Sequence, residues 1–128
     1  MHSSLDLFQT AHAMARHAGA RQAVVAQNIA NADTPGYQAQ HIAPFKDVFR
    51  THANAEIRAT RDGHMTSTGQ IAMDAVAMAS KAEPSPNGNT VSLEEEMKNS
   101  IAVRRSHKRA LTIYRHTMTI LRTSLGRN

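Results

Sequence analysis

Cysteine and tryptophan are absent from the 128 residues of this chain, and aromatic residues make up only 4% of it. The absence of cysteine excludes disulfide bonds, catalysis by a thiol and cysteine-ligated metal sites. Large aromatic side chains bury much of the area in globular cores, so their scarcity favours helix-on-helix packing through smaller apolar residues. The composition therefore predicts a single, mainly helical domain or elongated unit.

Long apolar stretches are also missing. No uninterrupted apolar run approaches the roughly 20 residues that a helix needs to cross a bilayer. Residues 1–8 lack the cationic segment and the apolar segment of a cleaved secretory signal. We therefore expect neither a membrane span nor a cleaved signal peptide, and composition alone favours the cytoplasm.

Sequence patterns of catalytic and cofactor sites are missing as well. There is no glycine-rich phosphate loop and no nucleophile elbow. The eight histidines include no pair at the spacing of helical zinc ligands, so we expect them to be solvated or packing residues. Glu94, Glu95 and Glu96 are consecutive and would point in different directions on a helix, unlike a catalytic carboxylate pair. We predict no enzymatic activity, no metal and no cofactor.

Acidic residues are absent from the end of the chain. Residues 97–128 carry eight basic residues and no acidic one, whereas residues 32–96 carry five basic and nine acidic residues. The basic cluster at residues 104–109 makes a small helical nucleic-acid-binding protein the alternative function, because such clusters bind phosphates without sequence specificity. No helix-turn-helix, RRM or zinc-finger pattern surrounds it, and the cluster would equally suit solvent or acidic residues of neighbouring subunits.

The N-terminal residues read as one amphipathic helix from about Ser4 to Asn31. Small side chains in its seam would let a partner helix approach closely but would bury little area, so we interpret it as an assembly helix. An ordinary bundle-core helix is the alternative. The seam alternates spacings of three and four, and its members are Phe8, Ala11, Ala15, Ala18, Gln22, Val25 and Ile29.

Residues 28–37, Asn-Ile-Ala-Asn-Ala-Asp-Thr-Pro-Gly-Tyr, contain signals that must end this helix. Pro35 disfavours a helical conformation in the residue before it, and Gly36 permits the positive φ of a type II turn. Asn31 and Asp33 are natural exit residues because their side chains can bond nearby backbone groups. The sequence predicts a helix end near Asn31, followed by a Pro-Gly turn.

The middle of the chain has a mixed pattern. We predict an extended start after residue 37, a helical turn after Pro44, a short helix over residues 71–79 and a solvated linker over residues 83–89. We expect residues 66–90 to be mobile in an isolated subunit.

A second long helix is predicted to begin at Ser92, which would form a capping box with Glu95, and to end before Gly126. Three consecutive glutamates in its first turn suit the positive end of the helix dipole. Met97 and Ile101 lie on its early turns in line with the apolar stripe. The stripe itself, again with spacings of three and four, consists of Leu111, Tyr114, Met118, Leu121 and Leu125.

Residues 28–37 also resemble the signature that follows the N-terminal helix of the bacterial flagellar rod and hook protein family. Within that family the chain is most similar to the proximal rod proteins. Residues 44–48 and the pair Thr60 and His64 resemble weaker elements of those proteins, and residues 88–97 resemble the element before their C-terminal helix. The Gly-Tyr-Val and Pro-Asn-Val element of a sister rod protein is absent.

The resemblance implies a fold in which long N- and C-terminal helices form an antiparallel, coiled-coil-like hairpin with a flexible, partly extended middle segment. The expected units are an N-terminal assembly helix (1–31), a signature turn with an irregular middle (32–91) and a basic C-terminal assembly helix (92–128). The interaction residues implied by the signature are Asn28, Ile29, Asn31, Asp33, Thr34, Pro35, Gly36 and Tyr37. The packing seam would comprise Phe8, Val25, Leu111, Tyr114, Met118, Leu121 and Leu125.

The resemblance further implies a structural subunit of the proximal rod that polymerises with other rod proteins and transmits torque from the rotor ring to the distal rod and hook. The implied partners are those rod proteins, the rotor-to-rod adaptor FliE, the rotor ring and, in transit, the export apparatus. The implied location is the periplasmic rod of the basal body, reached by flagellar type III export without a cleaved signal. A dimeric helical adaptor without flagellar function is a third hypothesis.

Overall fold

The computed structural model describes residues 2–49 and 75–126. The fold is mainly helical, as predicted, and no helix within the described residues has a stretch apolar enough to cross a membrane. Thr60 and His64 lie outside the described residues. In chain order the structure contains an N-terminal helix (His2–Ala30), strand β1 (Gln40–Ile42), strand β2 (Ala77–Ala79) and a C-terminal helix (Leu93–Ser124).

Both long helices end where local backbone chemistry requires it. The N-terminal helix stops at Ala30, and the C-terminal helix stops at Ser124, two residues before Gly126 with its positive φ of 69°. At 1.5 Å per residue their lengths are roughly 43 and 48 Å. Ser92 is the N-cap residue, with extended backbone, but its hydroxyl makes no capping bond. The predicted capping box is therefore wrong, because the Ser92 hydroxyl does not bond to the first turn. The three glutamates of that turn still interact favourably with the positive end of the helix dipole.

The two helices pack side by side and run in opposite directions. Near one end of the pair, the ring of Phe8 lies 4.7 Å from the ring of Tyr114. Towards the other end, Asn28 lies beside Glu96. An early residue of the first helix thus meets a late residue of the second, which confirms the antiparallel hairpin.

Small side chains occupy the centre of the helix interface. Buried residues recur every seven positions on each helix, the spacing of a coiled-coil seam. The members of this series are Ala11, Ala18 and Val25 on the N-terminal helix and Glu96, Val103, Ala110 and Thr117 on the C-terminal helix. Ala13, His17 and Asn28 are buried on the N-terminal helix as well.

The buried face of the C-terminal helix differs from the stripe of large apolar residues that the sequence favours. Met97 and Ile101 are both 59% exposed, and Leu125, predicted to belong to the seam, is 73% exposed. Leu125 lies just beyond the last helical residue. Because the opposing helix presents mainly alanine, close approach of the backbones selects small residues for the centre and leaves larger ones at its edges or outside it.

A short antiparallel ribbon lies beside the helix pair. Strand β1 pairs with β2 in the register Gln40↔Ala79, His41↔Met78 and Ile42↔Ala77, and Ile42 is buried. The short helix predicted over residues 71–79 is wrong at residues 77–79, and residues 71–74 lie outside the described part. Strand formation there depends on a partner far away in sequence, so local periodicity does not reveal it.

The helical turn predicted after Pro44 is present at residues 45–49. The amides of Asp47 and Val48 donate to the Pro44 carbonyl at 3.0 and 3.3 Å. Phe45 places its ring edge-on against the His17 ring of the N-terminal helix, with centroids 5.5 Å apart. This segment therefore covers the middle of the helix pair on one side.

Candidate functional site at the helix exit

The chain leaves the N-terminal helix through a tight series of local hydrogen bonds. The Asn31 amide donates to the carbonyls of Gln27 and Asn28, both at 3.1 Å, and the Asn31 side chain donates to Gln27 at 2.8 Å. The Thr34 hydroxyl then donates to the Asn31 side-chain oxygen at 3.2 Å. Asn31 thus acts as the exit residue, satisfying backbone groups that the helix end would otherwise leave free.

The Pro-Gly turn forms immediately afterwards. The Tyr37 amide donates to the Thr34 carbonyl at 3.2 Å, and Gly36 adopts a φ of 70°. Proline at the second turn position and a positive φ at the third are the features of a type II turn. The Gly36 amide also donates to the Asn87 carbonyl at 3.0 Å, so the turn is anchored to a distant part of the chain.

Asn28 ties strand β1 to the N-terminal helix. Its side chain is fully buried, and its amide nitrogen donates to the Gln40 carbonyl at 2.7 Å while its oxygen accepts from the Gln40 amide at 3.0 Å. The Tyr37 hydroxyl approaches the same oxygen at 3.4 Å. Asn28 therefore pairs with the Gln40 backbone as a neighbouring strand would, and fixes where the chain goes after the turn.

Asn89 clamps the helix exit from the other side of the chain. Its side-chain nitrogen lies 2.9 Å from the Asn31 carbonyl oxygen and 2.8 Å from those of Ala32 and Thr34. Its side-chain oxygen accepts from the Val91 amide at 2.7 Å. Asn89 is buried, which corrects the prediction of a solvated linker over residues 83–89 at this position.

The neighbouring residues complete this contact, which we call the exit junction (residues 28–40 together with 87–91). Thr90 donates its amide to the Tyr37 carbonyl at 3.0 Å, and its hydroxyl accepts from the Ala39 amide at 2.8 Å. Gly88, with a φ of 79°, lies so close to Gly36 that an added Cβ would sit 3.4 Å from the Gly36 Cα. The two most distinctive stretches of the sequence thus interlock.

Glu96 lies at the helix-facing side of the exit junction. It is buried, and its Oε2 atom has no hydrogen-bond partner. Burial raises the pKa of this carboxyl above the ordinary value of 4.5, and the charge of Glu95 raises it further, while Asn28, Asn99 and His41 act in the opposite direction. The upward shift arises because burial removes the hydration that stabilises the charged carboxylate.

The other predicted signature residues occupy varied positions. Ile29 and Tyr37 are half-buried, whereas Asp33, Thr34, Pro35 and Gly36 are exposed. Sequence reasoning did not select Asn89, Thr90 or Glu96 as site residues. All three lie in residues 88–97, which resemble the element before the C-terminal helix of the family. Nothing in that stretch indicates that it contacts the turn.

The predicted packing seam lies partly in the interface and partly at its edges. Val25 is buried, and the Phe8 and Tyr114 rings contact each other. The remaining members apart from Leu125 are half-buried, namely Leu111, Met118 and Leu121.

No group of three or more histidine or acidic side chains within residues 2–49 and 75–126 is placed to hold a metal ion. The basic cluster at residues 104–109 lies on the C-terminal helix, where Arg104, Arg105, Lys108 and Arg109 are exposed.

Comparison with known proteins places the exit junction in a family context. A family model described as flagella basal body rod protein matches residues 12–38, which include the helix end and the Pro-Gly turn. The chain is 32% identical over 107 residues to flagellar basal body rod protein FlgB of Agrobacterium fabrum (strain C58), and the alignment covers 80% of each protein.

Two further relatives carry the same name. The chain is 37% identical over 89 residues to FlgB of Escherichia coli (strain K12), covering 59% of this chain and 61% of the relative. It is 33% identical over 76 residues to FlgB of Cereibacter sphaeroides, covering 59% of each. With the longest of these alignments extending over four-fifths of its length, the chain belongs to the FlgB family of flagellar basal body rod proteins.

Proposed function

We propose that this chain is a structural subunit of the proximal rod, polymerising with other rod proteins and transmitting torque from the rotor ring towards the distal rod and hook. The observation that carries the proposal is the exit junction. It locks the segment after the N-terminal helix to the segment before the C-terminal helix through Asn89 and Thr90. A subunit under torque needs such a lock, because otherwise its two helices would shift relative to each other.

An exposed apolar stripe supports polymerisation. Leu93, Met97 and Ile101 lie four residues apart on the C-terminal helix and are 50%, 59% and 59% exposed. Residues at this spacing share one helix face. An apolar face that the hairpin leaves uncovered suits contact with neighbouring subunits, and heterologous contacts that do not close generate a helical assembly.

The proposed partners are the other rod proteins, the adaptor FliE and the rotor ring, with the export apparatus as a partner in transit. The proposed location is the periplasmic rod of the basal body, reached by flagellar type III export without a cleaved signal. The chain acts here as a structural element rather than as an enzyme.

The double substitution Pro35→Ala with Gly36→Ala tests the role of the turn. Alanine in place of Gly36 is strained, because the backbone there has a φ of 70°. Alanine in place of Pro35 no longer fixes the φ of residue 35 at the value that the turn needs. We expect the variant to be exported but to assemble poorly, giving reduced swimming and basal bodies without a completed rod. Subunit in the culture medium measures export, electron microscopy of basal bodies measures rod assembly, and spreading in soft agar measures swimming.

The matched control is Pro84→Ala, a proline substitution at an exposed position outside the exit junction. It should swim normally. A clean deletion of the gene, with a complemented strain, establishes the baseline. Normal motility of the double variant would contradict the role assigned to the turn, and a deletion strain that builds rods and swims would contradict the proposed function itself.

A further inference from the structure

A basic groove lies midway along the helix pair, apart from the exit junction. Its volume is about 230 Å³, which suits a side chain or small ion rather than a folded element. Three cationic residues from three different segments line it: Arg21 from the N-terminal helix, Lys46 from the short helical segment and Arg109 from the C-terminal helix. Met14, Phe45 and Val103 supply an apolar wall.

His17 contributes a buried polar atom to the same groove. The residue is only 3% exposed, and its Nε2 atom has no hydrogen-bond partner. Burial lowers the pKa of the imidazole, and the charge of Arg21 lowers it further, whereas a hydrogen bond to the Ala43 backbone raises it. A negatively charged group entering the groove would reverse the effect of Arg21 and favour the imidazolium form.

Within residues 2–49 and 75–126 none of the three cations forms an ion pair, because the one ion pair there joins Lys98 to Glu94 at 2.8 Å. Among the described residues, no acidic side chain lines the groove. The exposed Glu95 lies 14 residues before Arg109 on the same helix, a separation of roughly 21 Å. Glu95 therefore cannot reach the groove of its own chain.

We propose that the groove binds the carboxylate of Glu95 from a second copy of this chain, with the two hairpins parallel and staggered by roughly 21 Å. The side chain of glutamate matches the groove, since its methylene groups would lie against the apolar wall and its carboxylate between the cations. Glu95 is exposed and makes no ion pair within the described residues. The contact is heterologous and repeats from copy to copy, as a polymer requires.

This inference rests on the proposed function for the setting in which copies meet, but its test uses the isolated full-length chain. In sedimentation equilibrium, Arg109→Glu should weaken self-association about tenfold, because reversal replaces an attraction with a repulsion. Glu95→Arg should weaken it similarly. An equimolar mixture of the two variants should associate again, because opposite charges then face each other.

The matched control is Arg105→Glu, which makes the same charge change at an exposed position outside the groove and should associate like the wild type. A wild-type chain that stays monomeric at about 1 mM would overturn the inference. So would a mixture of variants that associates no better than either variant alone.

A second experiment distinguishes whether the groove binds the carboxylate of a neighbouring copy or a free anion. The ring resonances of His17 are followed by NMR while the chain is titrated with inorganic phosphate, and separately while its own concentration rises. Shifts with protein concentration that Glu95→Arg abolishes support the second copy. If the His17 resonances shift only with phosphate, and Arg109→Glu leaves self-association unchanged, the groove binds a free anion and the inference is overturned. The rod function would survive either failure, because it is tested by motility and basal-body assembly.

Discussion

Replacing Asn89 with aspartate tests the exit junction while keeping the size and shape of the side chain. Asparagine directs its NH₂ group at the carbonyl oxygens of Asn31, Ala32 and Thr34, all within 2.9 Å. Aspartate would place an oxygen there, facing three oxygens. The bond that the Asn89 side-chain oxygen accepts from Val91 can persist, so the substitution isolates the donor function.

The size of the effect follows from the bonds that are lost. An NH₂ group has two protons, so two of the three close carbonyls are fully bonded at a time. Each such bond contributes about 0.5–1.5 kcal/mol, and a buried polar group left without a partner adds about 1–3 kcal/mol, or more if it is charged. We therefore expect Asn89→Asp to lower the free energy of holding the junction closed by about 3 kcal/mol, a large share of a small protein's stability.

Two measurements on the isolated chain report this loss. Urea unfolding followed by far-UV circular dichroism gives the global free energy of unfolding, and hydrogen exchange of the Thr90 amide, bonded to Tyr37, reports opening of the junction itself. The difference from wild type should narrow at acidic pH, because a protonated aspartate regains one donor.

Asn87→Asp is the matched control. The Asn87 side chain uses its oxygen to accept from the Asn89 amide at 3.0 Å, and aspartate keeps that acceptor. Asn87 is also exposed, so this change should stay within about 0.5 kcal/mol of wild type. Equal stability and equal Thr90 exchange in the two variants would refute the donor role of Asn89.

Three further substitutions probe the helix interface. Because the folded-state pKa of Glu96 is raised, its favourable contribution is present below the ordinary value of 4.5 and is lost as the pH rises through the folded pKa. Glu96→Gln should therefore gain in unfolding free energy relative to wild type between acidic and neutral pH, and a difference that is flat with pH would contradict the burial argument. Val103→Ala, at a fully buried position, should cost about 1–3 kcal/mol in urea unfolding, whereas Ile101→Ala, at a 59% exposed position, should stay within about 0.5 kcal/mol. The reverse order would show that the large apolar stripe, and not the small one, forms the interface.

Features governed by local backbone chemistry could be predicted from the sequence. The helix end before Asn31, the type II turn through Pro35 and Gly36, and the helix end before Gly126 are all present. Each depends on conformational limits of proline and glycine that act over a few residues, whatever the rest of the fold does.

Features that depend on a distant partner were missed or misplaced. The strand at residues 77–79 exists through pairing with residues 40–42. The buried positions Ala110 and Thr117 carry no strong apolar signal, and they are selected because the facing helix presents small residues. Helical spacing places Met97 and Ile101 in line with the apolar stripe, but in the folded chain both lie outside the helix interface.

At the candidate site, too, the local contacts could be predicted from the sequence and the contacts with distant residues could not. The sequence predicts Asn31 and Asp33 as exit residues and includes Asn28 in the signature. The side chains of Asn28 and Asn31 bond backbone groups at the exit, and Asp33 is exposed. It gave no sign that Asn89 bonds the same exit, because a lone asparagine in a glycine-containing loop usually serves its own turn. Only the folded geometry brings the two segments together.

The distance in sequence between Asn89 and its partners has a consequence for folding. These bonds span 55 to 58 residues. Closing a loop of that length costs roughly 3.5 kcal/mol of chain entropy, a cost that the local turn bonds do not carry. Since synthesis proceeds from the N-terminus, the residues of the first helix and its turn are made before Asn89. The bonds that Asn89 adds to the helix exit are therefore completed late, after the Asn28–Gln40 pairing has become possible.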